Sequence, residues 1–243
     1  MTYRRIVLAG AAAALLPMAA QAADMPIQAP IYKAPLYQQP PSWAGWYAGI
    51  YAGYGFGSGS FDYSGPLVAA FPGAGLPTSQ SPKLDGFLAG AQLGYNWQWG
   101  NWVFGPEIDF GYSGIKGTAV ATSGVNTLTA EQRINWFGTA RARIGYVLWS
   151  DWLLYATGGL AFGQIKLDGD LNALAQAAAT KWAFGYTFGA GLEYAILRYW
   201  TIKGEYLYYD LGSISADYVP AVGLTATGSF KGHMVRAGLN YRF

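Results

Sequence analysis

The chain has no cysteine, a single histidine (His233) and few charges: 15 Lys+Arg and 13 Asp+Glu in 243 residues, 12% of the total. That is about half the charged share of an average soluble domain. Without cysteine there is no disulfide framework and no thiolate-held zinc or iron–sulfur centre. One histidine excludes an HExxH metal site and bis-histidine haem ligation within the chain. A formal net charge of +2 is too small for a nucleic-acid-binding surface, and outside the N-terminus there is no long hydrophobic run. What fills the chain instead is 34 glycines and 17% aromatic residues, the former about twice the ordinary share. So many aromatics exclude a disordered chain, yet a water-soluble core has little use for so much glycine.

The N-terminus is set apart. Arg4 and Arg5 precede an apolar run, Ile6 to Ala20, and Ala20-Gln21-Ala22 offers a small-x-small cleavage pattern. Residues 1–22 therefore read as a secretory signal peptide. A membrane-anchoring helix is the alternative, but the run contains Pro17 and is short for a span of about 20 residues. Loss of Arg4 and Arg5 takes the 15 basic residues to 13, equal to the 13 acidic ones. Residues 23–43 hold Pro26, Pro30, Pro35, Pro40 and Pro41, a density that favours extended polyproline geometry. They read as a periplasmic tail, either a plain linker or a recognition segment.

From residue 44 to 243 the pattern is alternation. Phe87, Ala89, Ala91, Leu93, Tyr95 and Trp97 fall on one face, with Gly86, Leu88, Gly90, Gln92, Gly94 and Asn96 between them. Trp102 to Ser113 and Trp182 to Tyr194 repeat the pattern. Period two over ten or more residues is a strand signal. Eight such strands are expected near 45–56, 84–98, 102–113, 132–147, 152–165, 181–195, 200–211 and 232–243. The connections around Gly100, Ser150 and Arg198 are short and the others long. Long strands of low charge with no helix to cover them need a closed sheet. Eight strands enclose too little room for the bulky face, so that face points to lipid. The fold class expected is all-β: an eight-stranded antiparallel up-and-down transmembrane β-barrel with short periplasmic turns and long extracellular loops. Trp43, Trp46, Trp97, Trp99, Trp102, Trp149, Trp152 and Trp200 gather at the N-terminal entry and the short turns, as one periplasmic aromatic girdle would. Pro106, mid-strand, predicts a bulge.

The inward face carries Glu107, Asp109, Arg141, Arg143, Glu193, Lys203, Glu205 and Arg236. Glu193 and Lys203 flank the turn at Arg198 symmetrically and should be cross-strand neighbours; Glu107 and Asp109 should lie near Arg141 and Arg143. An acid–base site or an ion pathway with a charged constriction would use such residues. Acids matched by bases favour an ion-paired network filling the lumen. No nucleophile–base pairing is visible beside His233, so no enzyme activity is expected. Lys83, Lys116, Lys166, Lys181 and Lys231 fall where loops should meet strands, at the level of lipopolysaccharide phosphates; they contact either those phosphates or only water. Residues 171–179 (LNALAQAAA) read as a short helix.

The chain ends Arg236-Ala-Gly238-Leu-Asn-Tyr241-Arg-Phe243, which resembles the C-terminal signal read by the outer-membrane barrel assembly machinery. Further segments carry a wider resemblance: Trp43-Ala-Gly-Trp-Tyr-Ala-Gly49, Gly105-Pro-Glu107-Ile-Asp109, Thr139-Ala-Arg-Ala-Arg-Ile-Gly-Tyr146 and Lys203-Gly-Glu-Tyr-Leu-Tyr208. Together they resemble the opacity-type small barrels of alphaproteobacterial outer membranes, the "porin family" or haemin-binding proteins. The resemblance implies a Gram-negative outer-membrane location with both termini periplasmic, and a part in envelope integrity. It implies no catalytic residues and no resident cofactor, although haem is bound by some relatives. A structural barrel is the first reading. A surface receptor for haem or a host ligand, and a narrow or gated porin, are the alternatives, although open channels need about sixteen strands.

Overall fold

The computed structural model describes residues 42–124, 126–171, 175–219 and 224–243. The expected signal peptide, and the tail before residue 42, lie outside the described residues. Eight long strands are present: β1 (Gly45–Ser64), β3 (Lys83–Trp99), β4 (Trp102–Ser123), β5 (Asn126–Leu148), β6 (Trp152–Leu171), β7 (Ala175–Ala195), β8 (Trp200–Val219) and β9 (Leu224–Arg242). Consecutive long strands pair antiparallel and β9 returns to β1, closing the ring. The two-residue strand β2 (Ser79–Gln80) adds to β1 at Phe61 and Asp62.

Partner-to-partner steps around the ring run Ala48, Leu93, Ile108, Ala140, Leu160, Tyr186, Asp210, Lys231 and back to β1 at Ser58, an offset of ten residues. With ordinary strand rise and spacing, that stagger tilts the strands by roughly 40°. The pleat then sorts the side chains. On β4, Val103, Gly105, Glu107, Asp109, Gly111 and Ser113 are buried, while Trp102, Phe104, Pro106, Ile108, Phe110 and Tyr112 are exposed. The bulky face is outside, as the alternation requires.

Four sequence-based expectations change. The long loops are mostly strand, because β4 and β5 run on to Ser123 and from Asn126. Small and polar residues occupy both faces there, as in Thr118-Ala-Val-Ala-Thr-Ser123, so no period is visible. The expected helix at 171–179 does not form over its described part: Leu171 belongs to β6 and residues 175–179 to β7, paired along β6. Pairing along an existing edge outweighs alanine's helix propensity. Among the described residues, the β1–β3 connection alone holds helical turns, the 3-10 pieces Pro66–Ala70 and Pro72–Ala74.

Pro106 makes no bulge. The β3–β4 register is constant from Asp85↔Lys116 to Trp99↔Trp102, and the ladder is merely interrupted at Tyr95 and Asn96, opposite the missing N–H. Shifts occur instead between Ile134 and Trp136 on β5 and between Asp210 and Ser213 on β8, besides those at Tyr112/Ile115 on β4 and Asp217/Val219 on β8. The shift after Asp210 is made by Gly212 at φ 68, a backbone state that glycine reaches without steric cost. Finally, Trp43 leaves the expected girdle. It is 1% exposed, against 83% for Trp99 and Trp149, because Gly45 at φ 122 lets the preceding chain fold back under the barrel.

Candidate functional site

The interior is layered. At the short-turn end, Trp43 packs with Val103, Leu153, Tyr155 and Ala195. Its N–H donates to Gln98 Oε1 (2.8 Å), its indole Nε1 to the Ser150 carbonyl (3.3 Å), and the Arg242 guanidinium lies 4.9 Å over its ring. Arg242 also donates to the carbonyls of Ser42 (2.8 Å) and Arg198 (3.0 Å), tying the entering chain to the β7–β8 turn. At the other end most inward residues are apolar: Leu84, Leu88, Ile115, Ile134, Phe137 and Phe230 join Phe71 and Leu76 of the β1–β3 connection, with Gln132 buried nearby and donating to the Ser60 carbonyl (3.1 Å).

Between these layers lie the eight predicted charges, none more than 3% exposed. Arg141 is the hub. Its Nη2 sits 2.5 Å from Glu107 and 3.0 Å from Asp109, and its Nη1 2.8 Å from Glu205. Arg236 bridges Asp109 (3.1 Å) and Glu205. Arg143 reaches Glu193 at 2.7 Å and Glu107 at 3.5 Å. Lys203 is opposite Glu193 in register, but its ammonium crosses to Glu107 at 3.0 Å. Glu107 is likewise directly opposite Arg141. Four acids thus meet four bases, and each carboxylate has a cation within hydrogen-bond reach, which is the condition under which buried charge is tolerated.

Sequence reasoning missed the neutral groups that complete this layer. Tyr47 donates to Glu107 (2.7 Å) and accepts from Arg143 (3.0 Å), while Tyr51 and Tyr155 donate to Asp109 and Glu205. Arg143 lies 4.3 Å over the Tyr155 ring and Arg236 4.5 Å over Tyr51. Thr139 donates to Asp109, Thr201 and Asn240 donate to Glu193, and Gln92 donates to Asn240. Tyr47 and Tyr51 share the parity of Gly49, Gly53 and Gly55, which gives their face once β1 is counted from Trp46 but not their partners. The Tyr47 ring lies against Gly94, where a Cβ would collide with it. With these groups included, every one of the eight long strands contributes to the layer.

The remaining candidates are scattered. Tyr241 and Phe243 point outward with rings 5.3 Å apart, and the Phe243 N–H donates to the Trp46 carbonyl. Arg236, of the same terminal segment, serves the lumen. His233 faces outward on β9, with Nδ1 2.6 Å from the Tyr206 hydroxyl and its ring stacked on Phe56. Lys83 opens β3, at a loop–strand junction as expected, whereas Lys116, Lys166, Lys181 and Lys231 lie within strands, because the strands extend further than the alternation does. Lys83, Lys116 and Lys231 are exposed with buried neighbours on both sides, and Lys166 is half-exposed between Ile165 and Leu167. Lys181 has the parity of inward Ala183 and donates to the Ser215 carbonyl (2.5 Å).

Comparison with known proteins fits this geometry. The outer membrane protein beta-barrel domain model matches residues 9–243. The 31 kDa outer-membrane immunogenic protein of Brucella melitensis is 38% identical over 241 residues, 98% of this chain and 99% of the relative. The 22 kDa outer membrane protein of Rhizobium leguminosarum bv. viciae is 37% identical over 158 residues, 65% of this chain and 67% of the relative. In fold alone, the crystal structure of OprG from Pseudomonas aeruginosa superposes with a TM-score of 0.56 at 13% identity, covering 82% of this chain and 96% of that one.

Proposed function

The chain belongs to the outer-membrane β-barrel protein family, and from that premise we propose that it is a structural wall element of the Gram-negative envelope, with an interior filled by ion pairs rather than an open channel. Its location follows from the family and from relatives named as outer-membrane proteins. The observation that carries the structural reading is the charged layer, to which all eight long strands contribute and which has apolar layers on either side. A network in which each carboxylate is held by a cation favours rigidity over transport, and no group in it is positioned as a nucleophile beside a base.

A strain lacking the gene tests this reading. Its envelope should leak periplasmic protein and become sensitive to detergent. Full integrity should return with a variant whose β4–β5 hairpin is cut back, because the wall is intact. Restoration by the full chain alone would favour a receptor role for the extracellular hairpins. That second reading draws on the relatives named as immunogenic, a property that surface-exposed hairpins would share. Haem binding, implied by resemblance, is tested separately by a Soret shift that is lost in His233→Ala.

A further inference from the structure

We propose that Lys116, Arg133 and Lys166, on the outer face of β4, β5 and β6, form a site for the phosphates of lipid A at the membrane end of lipopolysaccharide. The register sets the three cations side by side, Lys116 opposite Arg133 and Arg133 opposite Lys166. Each has buried neighbours before and after it, Ile115 and Gly117, Gln132 and Ile134, Ile165 and Leu167, so all three head groups project outward. Directly opposed side chains on neighbouring strands have Cβ atoms about 5 Å apart, and like charges so placed repel.

The row further from the short turns repeats the arrangement with the opposite sign, Glu131 facing Asp168. A rim that merely neutralised itself would set unlike charges across the strands, where cross-strand pairing stabilises the sheet. From β4 to β6 cation faces cation, and from β5 to β6 acid faces acid, while neutralisation on β5 and β6 runs along the strands: Arg133 to Glu131 at 2.6 Å, Lys166 to Asp168 at 2.9 Å. Lys116 faces Asp85 on β3, whose carboxylate accepts the Tyr54 hydroxyl at 2.6 Å. The rows are therefore ordered. On β5 and β6 the acids Glu131 and Asp168 lie outermost. The cations lie directly above the aromatic band, where Trp136 stacks on Phe110 (5.5 Å) and meets Tyr112 edge-on (5.8 Å).

That sequence of layers, rings then cations, matches acyl chains then phosphates in an outer leaflet. A phosphate seated on the cation row would be shared by three side-by-side cations that otherwise have only one acid each beside them. Three of the five lysines first considered drop out. Lys83 and Lys231 are separated by Ser58, so neither stands in a continuous row of cations, and Lys181 shares the parity of Ala183 and donates to the Ser215 carbonyl. Arg133 enters in their place.

The test is a titration of the refolded full chain in detergent with lipopolysaccharide, with lipopolysaccharide stripped of its lipid A phosphates, and with phosphatidylglycerol vesicles. Lys116→Gln, Arg133→Gln and Lys166→Gln should each weaken lipopolysaccharide binding about five-fold, from about 1 kcal/mol per cation near an anionic surface. Lys231→Gln should change it less than about two-fold. For the unaltered chain, phosphate removal should itself weaken binding by at least about five-fold, a readout that does not depend on any variant folding. Equal binding of stripped lipopolysaccharide, or variants within about two-fold of the parent, would overturn the site. Equal binding to phosphatidylglycerol would overturn its assignment to lipid A.

Discussion

Arg141 holds three carboxylates, Glu107, Asp109 and Glu205, on two other strands. Removing one partner of a buried ion pair leaves uncompensated charge and costs about 3–5 kcal/mol. Arg141→Ala should therefore lower the temperature at which the refolded barrel loses its folded gel mobility. Arg141→Glu should lower it further, by adding a fifth acid to four. An unchanged transition would remove the network from the stability account. Tyr47→Phe deletes one hydroxyl that bridges Glu107 and Arg143 and should cost less, about 1–3 kcal/mol. The charges of this layer were legible in the sequence because each falls on the parity opposite the bulky outward residues, and a charge on the inward face of a narrow barrel has nowhere else to go. The tyrosines were not, because a tyrosine is at home on either face. Their direction depends on counting from Trp46, and their partners on strands remote in sequence. Trp43 was misread for a similar reason: it lies ahead of the first alternating residue, so no parity governs it.

Strands separate into a part fixed by pattern and a part fixed by pairing. Up to the outer aromatic residues the alternation is regular, and it marks the strand ends at the short turns. Beyond Lys116 on β4 and before Arg133 on β5, small and polar residues fill both faces, and strand persists only because the partner edge is present. Joining Ala119 to Ala130 by a two-residue turn, in place of residues 120–129, should leave the barrel assembled and heat-modifiable. Loss of folding would mean that the hairpin tip helps to set the register. At the other end, Trp43→Ala empties a site framed by Val103, Leu153 and Tyr155 and should cost about 3–5 kcal/mol, read as a lower unfolding midpoint. Deleting Phe243 removes an outward terminal ring, not a core contact. It should stop assembly in the outer membrane while leaving export to the periplasm intact. Normal assembly would detach the terminal segment from recognition by the assembly machinery.

For the whole molecule, the scarcity of charge, the surplus of glycine and the abundance of aromatics describe one object. The aromatics cover the outer face, glycine makes room inside, and much of the small charge complement is spent in a single layer across the lumen. Eight strands with a ten-residue stagger enclose a space that side chains fill, and here those side chains are ion-paired at mid-height and apolar above and below. Closure to ions is the claim on which the structural reading depends. Planar-bilayer recording of the refolded full chain tests it most directly. The account predicts a flat baseline for the unaltered protein, whereas reproducible unitary conductance steps from it would contradict a filled interior.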